Sequence, residues 1–557
     1  MTELVLGPLL RHVDETSATI WVETSDATSV TVSTTDEGGG AGPSAQARTW
    51  RVHGHHYALV ELTGLQPGSR SAYTVSLDGA EVWPPPETPQ EDSVIGTLLA
   101  GRPLHLLFGS CRVAVPHDEE HHESFGVDSL RTFGLHLIRH PEQRRPDLMM
   151  FLGDQVYADE TSESMRDFIA ARRDPDQDPG WELQDYEEYA ELYRLAWSDP
   201  ANRWLLSTVP SAMIFDDHDI RDDWNTSVTW RRDMEATSWW KGRIVGGLAS
   251  YWVYQHLGNL DAAGRAEDRV WQLVAGHEGP EELDLTQTLD ELADLADREP
   301  TTYRWSYART FDTQARLVVV DSRAARVLEP QLRSIIDDEE MAWLDSQMRG
   351  DVDHLLIGTS LPFLMAPGLH HTEAVVEAVA EGVWGKHVAR LAEKLRRAVD
   401  IEHWAAFQDG FRKVGLMARE VAAGERGRAP ITVTFLSGDV HHSYLARAWP
   451  DPRAGVEARS RIVQAVCSPI RNPLPTVMRL AFSLGVRGKA RPRGWVMGRR
   501  TLRSPLHWEV TDGPWFTNLL ATLDVRPGGL SITWSTGEVR DGDHDRPVWR
   551  AVSSVDV

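Results

Sequence analysis

Six short apolar runs between residues 104 and 442 constrain this chain more than any other feature. They are LHLLFGSC, DLMMFLGDQVY, SAMIFDDHD, ARLVVVDSR, DHLLIGTSLP and ITVTFLSGDVHH. Each is apolar without alternation, the pattern of a strand covered on both faces. Each then gives way to Gly, Ser, Asp or Cys. Helical stretches separate them: Trp239 to Leu257 is aromatic-rich at helical spacing, and Val375 to Phe407 mixes Ala, Val and Leu with Lys, Arg and Glu. The pattern predicts a layered α/β architecture with its polar residues gathered at strand ends, where such sheets form their sites.

The first 98 residues read differently. SATIWVET, SVTVSTT, YALVELTGL and SAYTVSLDG alternate, are rich in Val, Thr, Ile and Tyr, and are separated by Gly, Asp, Ser and Pro. That spacing predicts a small β-sandwich, and LTGLQPGSRSAYTVSLDG resembles the corner and late strand of a fibronectin III or Ig-like sandwich. VWPPPETPQEDS (82–93) reads as the linker. The expected division is therefore 1–98 sandwich and 99–557 catalytic domain. Within the latter, 226–310 is a helical insertion whose acidic part, 261–300, reads as solvated, and 505–557 adds edge strands. NLLATLDVRPGGLSITWSTG reads as a hairpin turning at Arg526 to Gly529.

Composition limits the partners. The formal net charge is -26, which argues against a general nucleic-acid or anionic-membrane binder. It leaves room for an anionic small substrate, because a bound metal dominates its local field. The two cysteines, Cys111 and Cys467, lie far apart and form no zinc pattern or disulfide framework. The N-terminus shows no basic n-region, twin-arginine pair or cleavage site, so the expectation is a cytoplasmic protein. The stretch 487–503 is the basic run of an otherwise acidic chain and reads as an exposed loop. The segment 472–494 could lie against lipid but reads better as a helix packed on the core.

The strand ends carry the chemistry: Cys111; Asp154 and Tyr157 in GDQVY; Asp216, Asp217 and His218 in FDDHD; Asp439, His441 and His442 in SGDVHH. Taken singly, each has a plain structural explanation: a turn, a small buried thiol, a packed ring. Taken together, they put more anionic groups at one rim than can stay uncompensated. Carboxylates a few ångströms apart must protonate or bind cations, and His, Tyr and Cys supply further ligand types.

FGSCR, FLGDQVYADE, FDDHDIRDDW and FLSGDVHHSYL, in this order and spacing, resemble the PhoD-like (alkaline phosphatase D type) metallophosphatases of the calcineurin-like phosphoesterase superfamily. The resemblance covers most of the chain and implies a four-layer α/β/β/α metallophosphatase core with a two-metal centre. It implies that Cys111 and Tyr157 bind iron(III), that Asp154 bridges the metals, and that Asp439 and His441 bind from the last motif. It sets Asp217 at a metal-binding asparagine of the superfamily and His218 at its catalytic histidine. Asp216, Asp219 and His442 then orient these groups through hydrogen bonds. Asp222 and Asp223 read as helix-start residues or as an arm to the second metal, for which calcium is the expected ion. Arg112 could contact a phosphate oxygen. HDEEHH at 117–122 and the pair at 370–371 read as lid or rim residues.

The function implied is hydrolysis of phosphomonoesters, extending to phosphodiesters, by attack of a metal-bound hydroxide, with His218 as proton donor. The partner is then an anionic phosphoester, with no nucleic acid or membrane. Two rival readings remain: a non-catalytic, metal-stabilised binding or structural protein, and a phospholipase- or nuclease-type phosphodiesterase on the same core. The family is typically exported behind a twin-arginine signal, and this N-terminus departs from that pattern.

Overall fold

The alternating segments at the N-terminus form strands with one wet and one dry face. The computed structural model describes residues 2–85, 92–330, 332–380, 401–474, 479 and 503–557. It begins with β1 (Leu4–Val13), β2 (Ser17–Thr24), β3 (Ser29–Thr35), β4 (Ala41–Arg48), β5 (Trp50–Val52), β6 (His55–Thr63), β7 (Arg70–Leu77), β8 (Ala80–Trp83) and β9 (Val94–Gly96). One antiparallel sheet runs β1-β2-β6-β5, and the other runs β4-β3-β7-β8 with β9 paired on β7. Ile20, Val30, Val32, Val60, Tyr73 and Val75 fill the space between them.

The described ends of the expected linker at 82–93 are tied into this sandwich. Trp83 is buried, its Nε1–H donates to Ser93 Oγ at 3.0 Å, and the chain then re-enters the sheet as β9. Residues 86–91 lie outside the described residues.

In the core, β10 (Leu104–Gly109), β11 (Leu148–Leu152) and β12 (Ser211–Ile214) are parallel neighbours. β13 (Leu283–Asp284) then leaves the core to pair with β5 of the sandwich. β14 (Tyr307–Phe311), β15 (Ala315–Val320), β16 (His354–Thr359), β17 (Thr432–Ser437), β18 (Ser443–Pro450), β19 (Arg461–Val466) and β20 (Leu506–Trp515) form one sheet, ordered β14-β15-β16-β17-β19-β18-β20. β21 (Leu520–Arg526), β22 (Gly529–Glu538) and β23 (Val548–Asp556) complete the other, ordered β12-β11-β10-β21-β22-β23.

The continuous apolar runs are explained by this layering. On β15 and β16, Leu317, Val319 and Leu356 face inward and share a core with Phe108, Leu152 and Ala521 of the other sheet. Their neighbours Val318, Val320, Leu355 and Ile357 face outward and pack on Phe411, Val414, Ala418 and Val421 of the helix Gln408–Ala423. Each such side chain contributes about 1.5–3 kcal/mol on burial, so both faces of these strands must be apolar. The two sheets approach closely: a Cβ at Gly358 would lie 3.2 Å from Leu152 Cδ2. On the far side, helix Ser129–Arg139 covers β22 and β23, with Phe133 5.3 Å from Trp549. The result is the expected α/β/β/α core behind a β-sandwich.

Three local expectations need correction or qualification. The segment 261–300 is not simply solvated, because Leu285, Leu289, Leu292, Ala293 and Ala296 are buried. The C-terminal strands are not all edges, since β21 and β22 are internal and only β20 and β23 end a sheet. Of the basic run 487–503, all but Arg503 lies outside the described residues, as do 381–400 of the helical stretch Val375–Phe407 and most of 472–494. The hairpin pairing Arg526 with Gly529 is as expected. Among the described residues no helix is long and apolar enough to cross a membrane.

Candidate metal centre

Four strands end at one rim. β10, β11 and β12 come from one sheet and β17 from the other, and the residues just beyond them are Cys111, Asp154, Asp216–Asp217 and Asp439–His441. The chain turns there at a conformational cost. Cys111, Asp154, Asp439 and His441 have φ of 57°, 46°, 63° and 48°, values uncommon for residues with a Cβ and concentrated at functional sites. Gly153, at φ 104°, permits a close approach: a Cβ there would sit 2.7 Å from Asp216 Cβ. Cross-strand bonds hold the turns, from Arg112 N–H to Asp154 O (3.0 Å) and from Asp439 N–H to Ser110 Oγ (3.1 Å).

The turns converge four carboxylates. Asp154, Asp216, Asp217 and Asp439 each place an oxygen within 4.8 Å of the others, and Asp217, His218 and Asp222 form a second such group. Asp154 and Asp216 are fully buried, and Asp154 Oδ1 and Asp216 Oδ2 have no hydrogen-bond partner among the described residues. Burial, then Cys111 and the neighbouring carboxylates, hold Asp154 well above the usual carboxylate range. Burial does the same to Asp216, with Arg323 opposing. Asp217 is pushed up to about 6, chiefly by burial, with Arg323 opposing, while Asp222 sits at the exposed edge of the second group. Cys111 Sγ lies 3.3 Å from Asp154 Oδ2, and burial followed by Asp439 pushes this thiol up to about 12. Burial, Cys111 and Asp154 raise Tyr157 well above its ordinary value. Such a cluster holds protons unless a multivalent cation replaces them. Oxygen donors beside a thiol, a phenol and an imidazole fit that replacement by more than one ion type.

The histidines divide by what fixes them. His218 Nδ1 lies 2.9 Å from Asp159, and its ring centroid lies 4.7 Å from that of Tyr157 at a tilt of 31°. Burial would lower its pKa, but Asp159, Asp217 and Asp154 outweigh it and raise it well above 6.5. His441 Nδ1 donates to the Asn472 carbonyl at 2.6 Å, which leaves Nε2 with the lone pair. His442 Nδ1 pairs with the Val440 carbonyl and its ring packs near Tyr444 and Phe516. The Val440 bond pins the turn that carries Asp439 and His441. Asp219 Oδ2 accepts from the Asp154 and Asp216 N–H groups, at 2.9 and 2.8 Å. Asp216, expected to orient its neighbours, instead joins the carboxylate group itself.

Arg112 is misplaced for a phosphate contact. It is 3 % exposed, its Nε–H donates to Asp128 at 3.0 Å, and its Nη1 donates to the Ala196 carbonyl. His121 pairs with Asp118, and His122 with His544. His370 packs on Phe411 and Trp508. None of these three belongs to either carboxylate group.

Four residues were not singled out from the sequence. Arg323, fully buried, pairs with Asp216, with Asp217 at 3.1 Å, and with Glu402. His403 Nε2 lies 3.0 Å from Asp439 Oδ2 and its Nδ1 3.0 Å from Glu373. Although burial pushes the other way, these bonds hold Asp439 below its ordinary value. Asp159, which holds His218, is the fourth. Arg323 ends the run ARLVVVDSR, so the strand-end signal could have found it; Glu402 and His403 sit outside any such run.

Comparison with known proteins agrees with this geometry. Residues 131–480 match the family model of the PhoD-like phosphatases, and residues 1–95 match a domain of unknown function, DUF7800. No curated protein matches the chain. The solved structure of PhoD superposes with a TM-score of 0.60 at 12% identity, covering 99% of this chain and 92% of that one. A β-glucuronidase of glycoside hydrolase family 2 aligns at 11% identity over 40% of this chain and 28% of its own, with a TM-score of 0.16 that carries no argument. Three of the four converging strand ends lie inside the matched stretch and the fourth, at Cys111, pairs directly with it: the chain belongs to the PhoD-like phosphatase family.

Proposed function

We propose that the strand-end cluster is the metal centre of a phosphoesterase acting on phosphomonoesters and on phosphodiesters. The observation that carries this reading is the convergence of Asp154, Asp216, Asp217 and Asp439, with Asp154 Oδ1 and Asp216 Oδ2 buried and without a hydrogen-bond partner among the described residues. Family membership supports a metal-dependent hydrolase.

In this reading Cys111 and Tyr157 would hold an iron(III), Asp217 would hold a second ion for which calcium is the candidate, and Asp154, Asp439 and His441 would complete the donor set. Bound cations polarise a phosphoryl oxygen, acidify water and offset the charge of an in-line displacement. The chain's own groups do the rest. Asp159 fixes His218 through Nδ1 and keeps the imidazole protonated, so Nε2–H is the donor to the leaving oxygen. Asp219 ties the Asp154 and Asp216 backbones together, and Arg323 keeps Asp216 and Asp217 from repelling one another.

The test is turnover of p-nitrophenyl and bis-p-nitrophenyl phosphate by Asp154→Asn and His218→Ala. Both variants should fold and lose activity. Full activity in either sinks the mechanism, and no hydrolysis by the metal-loaded wild type favours a binding protein.

A further inference from the structure

The sandwich that matches a domain of unknown function meets the core along several strands, and one of these contacts leads to the metal centre. Arg11, on β1, is fully buried. Its guanidinium donates to the carbonyls of Tyr254 at 2.6 Å and Gln255 at 2.7 Å. Gly258 makes room, since any Cβ there would collide with that guanidinium. The two carbonyls belong to a π-helical turn, Trp252–His256, that follows helix Trp240–Tyr251; such turns are frequent at functional sites. Two more sandwich strands hold the same turn. The Tyr254 hydroxyl donates to Glu23 of β2 at 3.0 Å and lies 3.0 Å from the Tyr57 hydroxyl of β6.

The other side of the turn reaches the metal centre. Gln255 is fully buried, and its Nε2 donates to Tyr193 at 2.9 Å and to Asp219 Oδ1 at 3.3 Å. Asp219 in turn accepts the N–H groups of Asp154 and Asp216, the two residues whose carboxylates carry unpartnered oxygens. Just beyond the turn, Asn259 pairs with both backbone groups of Met213, in the strand that delivers Asp216.

We propose that the N-terminal sandwich is a positioning module of the metal centre: Arg11 seats the turn 252–256, and Gln255 on that turn holds Asp219 against the Asp154 and Asp216 amides. The inference rests on the metal-centre reading above. It gives Gln255 and Arg11 the role of positioning residues that act through Asp219 and never touch substrate.

The test uses the full chain, stripped with chelator and titrated with Mn2+, a paramagnetic cation that carboxylates bind. Gln255→Leu keeps the volume and removes the donor, and Arg11→Met releases the turn. Both should weaken Mn2+ binding about 10–100-fold, as loss of a ligand's outer partner does. Both should also lower kcat on p-nitrophenyl phosphate at unchanged KM. Val32→Ala, in the sandwich sheet that does not carry Arg11, should lower the melting temperature and leave Mn2+ affinity intact. Wild-type affinity in Gln255→Leu, or an equal loss in Val32→Ala, overturns the inference while the phosphoesterase reading stands. Absence of Mn2+ binding by the wild type overturns both.

Discussion

Arg323→Met is the most informative change to the electrostatics of the site. The guanidinium is fully buried and pairs with three carboxylates, those of Asp216, Asp217 and Glu402. Removing one partner of a buried ion pair costs about 3–5 kcal/mol, because the other charge is left uncompensated. With the metals removed Asp216 holds a proton, but Asp217 and Glu402 each lose an ion pair, so the chelated protein should lose at least about 3 kcal/mol. Metal loading should shrink that loss, since cations then face Asp216 and Asp217. Glu402→Gln in the same chain should recover part of it, with a coupling of about 0.5–3 kcal/mol in a double-mutant cycle. The assay is urea unfolding of wild type, both single variants and the double variant, with chelator and with metal, compared at constant m-value. A chelated Arg323→Met protein within about 0.5 kcal/mol of wild type, or a larger loss with metal than without, would refute the reasoning.

Three further outcomes follow from particular residues. Burial, with Arg309 and Arg265, lowers His12 to about 3; burial, with His371 and His403, lowers His370 to about 3; burial and Arg11 lower His256 to about 4. Their unfolded values lie higher, so the unfolded chain binds more protons below pH 6.5, and stability falls from there toward pH 3–4. Each imidazole should cost about 1.4 kcal/mol at one pH unit below 6.5, so His12→Gln, His256→Gln and His370→Gln should each shift the pH dependence of the unfolding free energy between pH 7.5 and 5.5 by that amount; a variant that keeps the wild-type pH dependence would contradict this. Gly153→Ala should cost more than about 1 kcal/mol and impair metal loading, because the position needs φ 104° and its Cβ would collide with Asp216; wild-type metal content in that variant would argue against the packing described. Tyr157→Phe should remove or shift the visible absorption of iron-loaded protein while leaving it folded, and an unchanged spectrum would exclude the phenol as an iron ligand.

The layered core and its loaded strand ends were legible because double-sided burial writes uninterrupted apolar runs, and each run stops where the backbone must turn. Cys111, Asp154, Asp217 and Asp439 could be read for that reason. Glu402 and His403 could not, because they fall in a stretch read as helical, whereas 401–403 form a loop that reaches the cluster. The proline-rich stretch at 82–93 reads as a linker from composition alone, yet Trp83 and β9 bind its ends into the sandwich. The acidic segment at 261–300 reads as solvated because charge outweighs its pattern; Leu285, Leu289 and Leu292 nonetheless fall on one helical face and are buried. The tie from Arg11 through Gln255 to Asp219 joins residues more than two hundred positions apart, and no local pattern encodes it.

The central claim is that the converging carboxylates form a metal-dependent phosphoester-hydrolysing centre. The most direct test is p-nitrophenyl phosphate hydrolysis by the purified full chain before chelation, after chelation and after reconstitution with iron and calcium. The account predicts turnover that disappears with the metals and returns with them. Turnover indifferent to chelation, or a metal-loaded protein that hydrolyses no phosphoester, would contradict it.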